Sequence, residues 1–238
     1  MADIINPTGY TSLIFAFVGG ILPALLWLWF WLQQDKLNPE PRARIMLAFL
    51  GGMIAVPLVY PLQKLVFDYF GSTTVSITWT VLAVWAIIEE LAKYIAVNFT
   101  ALRSKAYDEP IDALEYLITT ALGFAALENT LFILNPLLGG HVLEGIIAGN
   151  ERFIGASLLH VVSSAILGYC IGREFYRKVP AKILWLVIGL LIAVALHTAF
   201  NMFIIYENGS KTFIVFACVW VVALGVLVLF EKIKKIKK

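Results

Sequence analysis

The sequence predicts an all-α fold: a polytopic transmembrane helical bundle of about seven spans, N-terminus outside and C-terminus cytoplasmic. Three observations carry this. Of 238 residues, 61% are hydrophobic and 14% charged, with a mean hydropathy of +0.86, and one soluble core of that size does not hide so much apolar surface. The apolar stretches recur at roughly the 20 residues a helix needs to cross about 30 Å of hydrocarbon, not at the shorter spacing of barrel strands. Basic residues gather at alternate joints between these stretches, which sets a direction.

The first span, expected at about 10–33, comes after a start, MADIINPTGY, without the basic region of a cleavable signal; the first positive charge, Lys36, lies beyond it, so the run is expected to be retained as a helix. Pro39 and Pro41 separate it from the second span, about 43–67, and Gly71 to Thr74 separate that from the third, about 76–101. Pro110 opens the fourth, about 111–135, and Pro136 to Gly140 close it. The fifth, sixth and seventh are expected at about 152–176, 182–206 and 211–231. Pro23, Pro57 and Pro61 fall inside spans, where they kink the helix and neighbouring groups take up the freed carbonyls. No repeat, low-complexity tract or composition shift divides the chain, so 1–238 reads as one domain.

Fourteen of the 18 lysines and arginines lie after spans one, three, five and seven, and short cytoplasmic loops retain such charge. Five of them close the chain between Lys232 and Lys238 and read as a juxtamembrane tail against the lipid bilayer; no nucleic-acid partner is expected at a net charge of +2. Trp27, Trp29, Trp31 and Trp185 near inner span ends, and Trp79 near an outer one, read as interfacial anchors. Cys170 and Cys218 lie in apolar runs and read as packing residues.

A charge near the bilayer centre costs roughly 3 kcal/mol on insertion scales, so ionisable residues inside spans are candidates for function. Span three carries Glu89, Glu90 and Lys93; span four Glu128 and Asn129; span five His160; span six His197 and Asn201. Glu89 and Glu90 stand four and three residues before Lys93, so one can pair with the ammonium while the other points elsewhere. His160 with Ser164, and His197 with Asn201, are four apart on one face. At about 1.5 Å per residue, Glu128 lies about 10 Å, and His160 and His197 about 12 Å, below the outer ends of their spans, with Glu89 and Glu90 about 20 Å down theirs. Four helices therefore offer polar groups at similar levels in the outer half of the membrane.

Two histidines and a glutamate are a familiar set for catalytic Zn²⁺, and a second carboxylate nearby can take a proton from water. Glu128, His160 and His197 are the expected ligands. Glu89 or Glu90 would be the general base, Lys93 would keep the other carboxylate ionised, and Asn201 would bond a developing oxyanion, with Asn129 and Ser164 in supporting places. The same chemistry would serve a seven-helix zinc amidase acting on lipid amides, and buried carboxylates and histidines also line cation or proton paths. The inner halves of the spans offer no continuing polar track, against a transporter. Oligomeric state is not legible. Phe124 and the Gly168–Gly172 spacing read as packing. Asp112, Glu115 and Glu144, nearer span ends, are expected to be solvated, and Asn208-Gly-Ser is too short a pattern to mark glycosylation.

Five segments in order resemble the PrsW family of intramembrane proteases, related more distantly to membrane proteases that process CAAX proteins and bacteriocins. They are DKLNPEPRARIMLAFLGG at Asp35 to Gly52, EELAK at Glu89 to Lys93, DEPIDALEY and GFAALEN between Asp108 and Asn129, RFIGASLLHVVSSAILGY at Arg152 to Tyr169, and LHTAFN at Leu196 to Asn201. The resemblance implies a bacterial or archaeal cell-membrane protease whose substrate is a single-pass membrane protein such as an anti-sigma factor, cut near the extracytoplasmic side. Phe124 is followed four residues later by Glu128, where the CAAX branch has histidine, which argues against prenylated substrates and leaves the metal open.

Overall fold

The structure, a computed structural model, describes residues 9–36, 38–70, 78–206 and 211–237. Seven helices run through the described residues: α1 Gly9–Leu32, α2 Arg42–Phe70, α3 Trp79–Val97, α4 Asp112–Leu138, α5 Val142–Gly172, α6 Val179–Tyr206 and α7 Thr212–Ile233. Six are long and apolar enough to cross a membrane. The other, α3, continues as a π-helical turn over Asn98–Leu102 and carries Glu89, Glu90 and Lys93 in its middle. The chain is thus an all-α polytopic membrane protein. Gly71 to Thr74 and Asn208-Gly-Ser lie outside the described residues.

Helices α4 and α5 form the centre. Their apolar stretches are 72% and 78% buried by protein, against 22–33% for α1, α2, α6 and α7, whose outer faces carry the exposed leucines, isoleucines and phenylalanines that a lipid solvent accepts. On one side of α4 lie α1 and α2, and on the other α5, which in turn packs on α6 and α7; α3 closes the bundle between α2 and α6. Because lipid tails are as apolar as leucine, close packing rather than water exclusion holds such helices together. Leu114, Ile118 and Leu122 of α4 and Leu158, Val161 and Ala165 of α5 supply that packing. The Gly168–Gly172 spacing works as expected: a Cβ at Gly168 would meet the backbone of Ala113 and Leu114, and one at Gly172 the Pro110 carbonyl.

Several boundaries and surface readings are corrected. α5 starts at Val142, ten residues before the expected 152, and ends at Gly172; its stretch Arg152–Ala156 is π-helical, which inserts a residue and rotates the rest of the helix about its axis. α4 does not stop before Pro136 but runs to Leu138, and Gly140 (φ 79°) makes the tight turn into α5. Trp31 is no interfacial anchor: it is buried and stacked on Phe230, centroids 5.8 Å apart. Trp27 is half-buried and donates to the Phe153 carbonyl at 3.3 Å. Asp112 and Glu115, expected in solvent, are buried, because the start of α4 is covered by the segment joining α1 to α2. Glu144 is exposed as expected, beside His141. Cys170 is buried and Cys218 faces outward.

Candidate active site

Adjacent residues on a helix point about 100° apart, and Glu89 and Glu90 accordingly enter different environments. Glu90 Oε1 accepts from Lys93 Nζ at 2.6 Å, one turn along α3, from Ser163 Oγ of α5 at 3.2 Å and lies 2.8 Å from His197 Nδ1 of α6. Glu89 Oε1 accepts from Gln63 Nε2 of α2 at 2.6 Å. Glu89 Oε2 is buried without a hydrogen-bond partner and faces His197 Nε2 across 3.5 Å.

These contacts define the imidazoles. A carboxylate only accepts, so His197 Nδ1 carries a proton toward Glu90; in the neutral ring Nε2 then turns its lone pair toward Glu89, and in the charged ring Nε2 carries a second proton toward it. An ammonium only donates, so His160 Nδ1 accepts from Lys93 Nζ at 3.2 Å, and His160 Nε2 donates to Glu128 Oε2 at 3.1 Å. The two rings meet edge to face, centroids 5.1 Å apart. Phe124 walls the cluster, its ring 5.4 Å from that of His160 and 5.6 Å from the Lys93 ammonium.

Glu128 is ion-paired to Arg152, from the π-helical turn of α5. Arg152 Nε also donates to Asn129 Oδ1 at 2.6 Å, and Asn129 Nδ2 to Ser157 Oγ at 2.8 Å. The side chains of Glu90, Lys93, His160, His197 and Glu89 are 0–5% exposed, whereas Glu128 is 19% exposed, so access to the cluster runs past Glu128 and Arg152. Along their helices, Glu89 and Glu128 lie about 15 Å, and His197 about 14 Å, from the ends that share a face of the bundle, while the longer α5 puts His160 about 27 Å from its own.

The structure thus brings Glu89, Glu90, Lys93, Glu128, His160 and His197 into one contiguous network. Glu89, His160 and His197 each offer a ligand atom, all within 4.8 Å of one another. Two acceptors turned toward each other, Glu89 Oε2 and His197 Nε2, call for a cation or a proton between them, so the donor set fits a metal. Glu128, the carboxylate expected in that set, instead shares its charge with Arg152. Asn201 lies one turn past His197, half-exposed and with no hydrogen-bond partner among the described residues. Ser164 Oγ is buried and without a partner, and its neighbour Ser163 bonds Glu90. Asn129 holds Arg152 and, among the described residues, hydrogen-bonds neither histidine.

Three contributors lie outside the set expected from sequence. Ser163 takes the place expected of Ser164. Gln63, in α2, is visible in the sequence as a polar residue within a span, and Trp85 Nε1 donates to its carbonyl at 2.9 Å. Arg152 falls at an expected span end because the ten polar-flecked residues before it have the look of a loop.

A second group lies about 20 Å away along α4. Carboxylates of Glu40, Asp108 and Asp112 come within 4.8 Å of one another. Asp112 Oδ2 accepts the backbone N–H groups of Asp108 and Glu109 at 2.9 and 2.8 Å, and the Tyr116 hydroxyl donates to Glu40. Burial pushes the Glu40 carboxyl above its ordinary value, with the Tyr116 bond working the other way.

Comparison with known proteins shows the family. A family profile described as PrsW family intramembrane metalloprotease matches residues 40–229. Protease PrsW of Bacillus subtilis is 24% identical over 186 residues, 76% of this chain and 79% of that protein. Protease PrsW of Geobacillus kaustophilus is 28% identical over 172 residues, 70% of each chain. Protease PrsW of Oceanobacillus iheyensis is 25% identical over 209 residues, 86% of this chain and 91% of its own. No solved structure gives a significant match.

Proposed function

The chain belongs to the PrsW family of intramembrane metalloproteases, and from that premise we propose that it hydrolyses a peptide bond in a single-pass membrane protein of the anti-sigma-factor kind, near the extracytoplasmic side. The enzyme is a multi-pass cell-membrane peptidase. Its N-terminus is outside and its C-terminus cytoplasmic, in keeping with the basic joints after α1, α3, α5 and α7.

The metal is Zn²⁺, for which two imidazoles and one carboxylate are a common catalytic set. Glu89, His160 and His197 would hold it; His160 becomes available when Lys93 is engaged by Glu90 alone. A bound Zn²⁺ supplies Lewis acidity toward a peptide carbonyl and a water. Glu90 fixes the ring of His197 through Nδ1, the usual way a carboxylate orients a ligand histidine, and Lys93 keeps Glu90 ionised. Glu128, the most open carboxylate, would take a proton from the attacking water and return it to the leaving amine, with Arg152 favouring its ionised form before the first transfer and after the second. Asn201, one turn past His197, would bond the developing oxyanion through its amide. This exchanges the parts first expected of Glu89 and Glu128.

The observation that most supports this reading is the unshared pair of acceptors, Glu89 Oε2 opposite His197 Nε2 at 3.5 Å. Membrane proteomics on cells carrying wild type or His160→Ala tests the activity: a single-pass protein should accumulate uncut in the variant. No accumulating species under any envelope stress would leave the substrate class without support. Metal analysis of purified Glu89→Gln and Glu128→Gln separates the ligand assignments, since only the ligand's variant loses zinc.

A further inference from the structure

Two of the segments that carry the family resemblance, Asp35 to Gly52 and Asp108 to Tyr116, contribute nothing to the catalytic cluster and meet at the other end of α4. There α1 and α2 each pack on α4 but hardly on one another, leaving a cleft of about 540 Å³ floored by α4. Its walls are apolar, with Leu28 of α1 and Met46 and Phe49 of α2, and a lipid acyl chain matches them. Its end is not apolar. Lys36, Glu40 and Arg42 line it at the rim and Glu115 on the floor.

Glu115 is the unexplained group. It is 3% exposed, its Oε1 is buried without a hydrogen-bond partner, and it makes no ion pair among the described residues. Lys234, whose charge reaches it, is engaged by Glu231 at 2.8 Å. A buried carboxylate left without a donor is costly, and a cleft this open admits one. At the rim, Lys36 and Arg42 are exposed and make no ion pair among the described residues. One end of the cleft therefore wants a cationic hydrogen-bond donor and the adjoining rim wants an anion, a short reach from an acyl-shaped groove.

We infer that this cleft binds an aminophospholipid, its primary ammonium on Glu115 and Glu40, its phosphate on Lys36 and Arg42, and an acyl chain between α1 and α2. Both signs of charge are needed. A purely anionic headgroup would set its phosphate beside two carboxylates with nothing to satisfy them, and a quaternary ammonium has no N–H to donate. The volume falls within the roughly 300–1,000 Å³ common for small-molecule sites, enough for a headgroup and the first part of one chain. The site is separate from the catalytic network, so its occupancy does not depend on the protease assignment.

The test is native mass spectrometry of the full-length protein in detergent, titrated with phosphatidylethanolamine or phosphatidylglycerol of identical acyl chains. Wild type is expected to retain phosphatidylethanolamine about tenfold better, the value of one charge-assisted hydrogen bond. Glu115→Gln should abolish that preference, lowering phosphatidylethanolamine retention about tenfold while phosphatidylglycerol holds or rises. Arg42→Gln should weaken both lipids. Equal retention of the two lipids by wild type, or a Glu115→Gln protein that keeps the wild-type preference, overturns the inference. Should Glu115→Gln fail to fold, Leu28→Trp decides, because it fills the cleft without touching a charge: loss of bound phosphatidylethanolamine supports the site, and unchanged retention overturns it.

Discussion

Glu89 Oε2 and His197 Nε2 face each other across 3.5 Å, one with no hydrogen-bond partner and the other with its ring proton directed away to Glu90. Removing either acceptor removes the reason for a cation to sit between them. Glu89→Gln and His197→Ala are each expected to reduce zinc from about one per chain to near none, measured by elemental analysis of purified protein. Peptide cleavage should fall by about 10³-fold or more, since a metal supplies several kcal/mol of transition-state stabilisation. Wild-type metal content in both variants would remove the ligand assignment.

Glu90 touches no reacting group in this arrangement; it acts through His197 and Lys93. Glu90→Gln keeps the shape and one acceptor but loses the charge that matches Lys93. Loss of a carboxylate behind a ligand histidine typically costs about 10–100-fold in metal affinity or activity. The expected result is weaker zinc binding in a chelator competition, with activity restored in part at raised zinc. A loss as complete as that of Glu89→Gln, and unmoved by added metal, would place Glu90 on the metal itself.

Much of this arrangement is legible in the sequence, and for a physical reason. Lipid imposes a length on each apolar run, so seven helices can be counted, and it penalises buried charge, so Glu89, Glu90, Lys93, Glu128, His160 and His197 stand out. Which carboxylate serves which partner is not legible, because that depends on helix rotation. The π-helical turn at Arg152–Ala156 is a case in point: Glu144, Asn150, Glu151 and Arg152 look like a loop, yet they continue α5 and bring Arg152 onto Glu128. The burial of Asp112 and Glu115 is hidden for a similar reason, since position near a span end says nothing about whether a neighbouring segment covers it.

Arg152 gives a way to separate a base from a ligand. It pairs with Glu128, donates to Asn129 and lies 3.9 Å over the Phe132 ring, and among the described residues it makes no hydrogen bond or ion pair with Glu89 or His197. Arg152→Ala is expected to leave zinc content unchanged while lowering kcat by about 10–100-fold, below the roughly 10²–10⁴-fold of a wholly lost general acid–base contribution because the Glu128 carboxyl itself remains. Arg152→Lys should recover part of the rate, because a point charge replaces the fork without its second bond to Asn129. Simultaneous loss of metal in Arg152→Ala would return Glu128 to the ligand set.

The geometry of the site also rests on how closely α2 approaches α4, and that approach depends on two glycines. A Cβ at Gly52 would stand 2.8 Å from the backbone nitrogen of Phe124, and one at Gly123 2.7 Å from the carbonyl carbon of Phe49. Backbone cannot turn aside as a side chain can, so either alanine pushes the helices apart, at about 1–3 kcal/mol for overpacking. Gly225, on the outer face of α7 with nothing within 4 Å of its added Cβ, is the control. Gly52→Ala and Gly123→Ala are expected to lower the apparent Tm in detergent by about 2–10 °C, while Gly225→Ala leaves it unchanged or higher. Because Phe124 walls the histidines and Glu128 lies one turn further along α4, the two destabilised proteins should also lose activity at temperatures where they remain folded. Unchanged Tm in both would mean that the helices part at no cost, and that Glu128 and Gln63 are not held at their distances by the contact between α2 and α4.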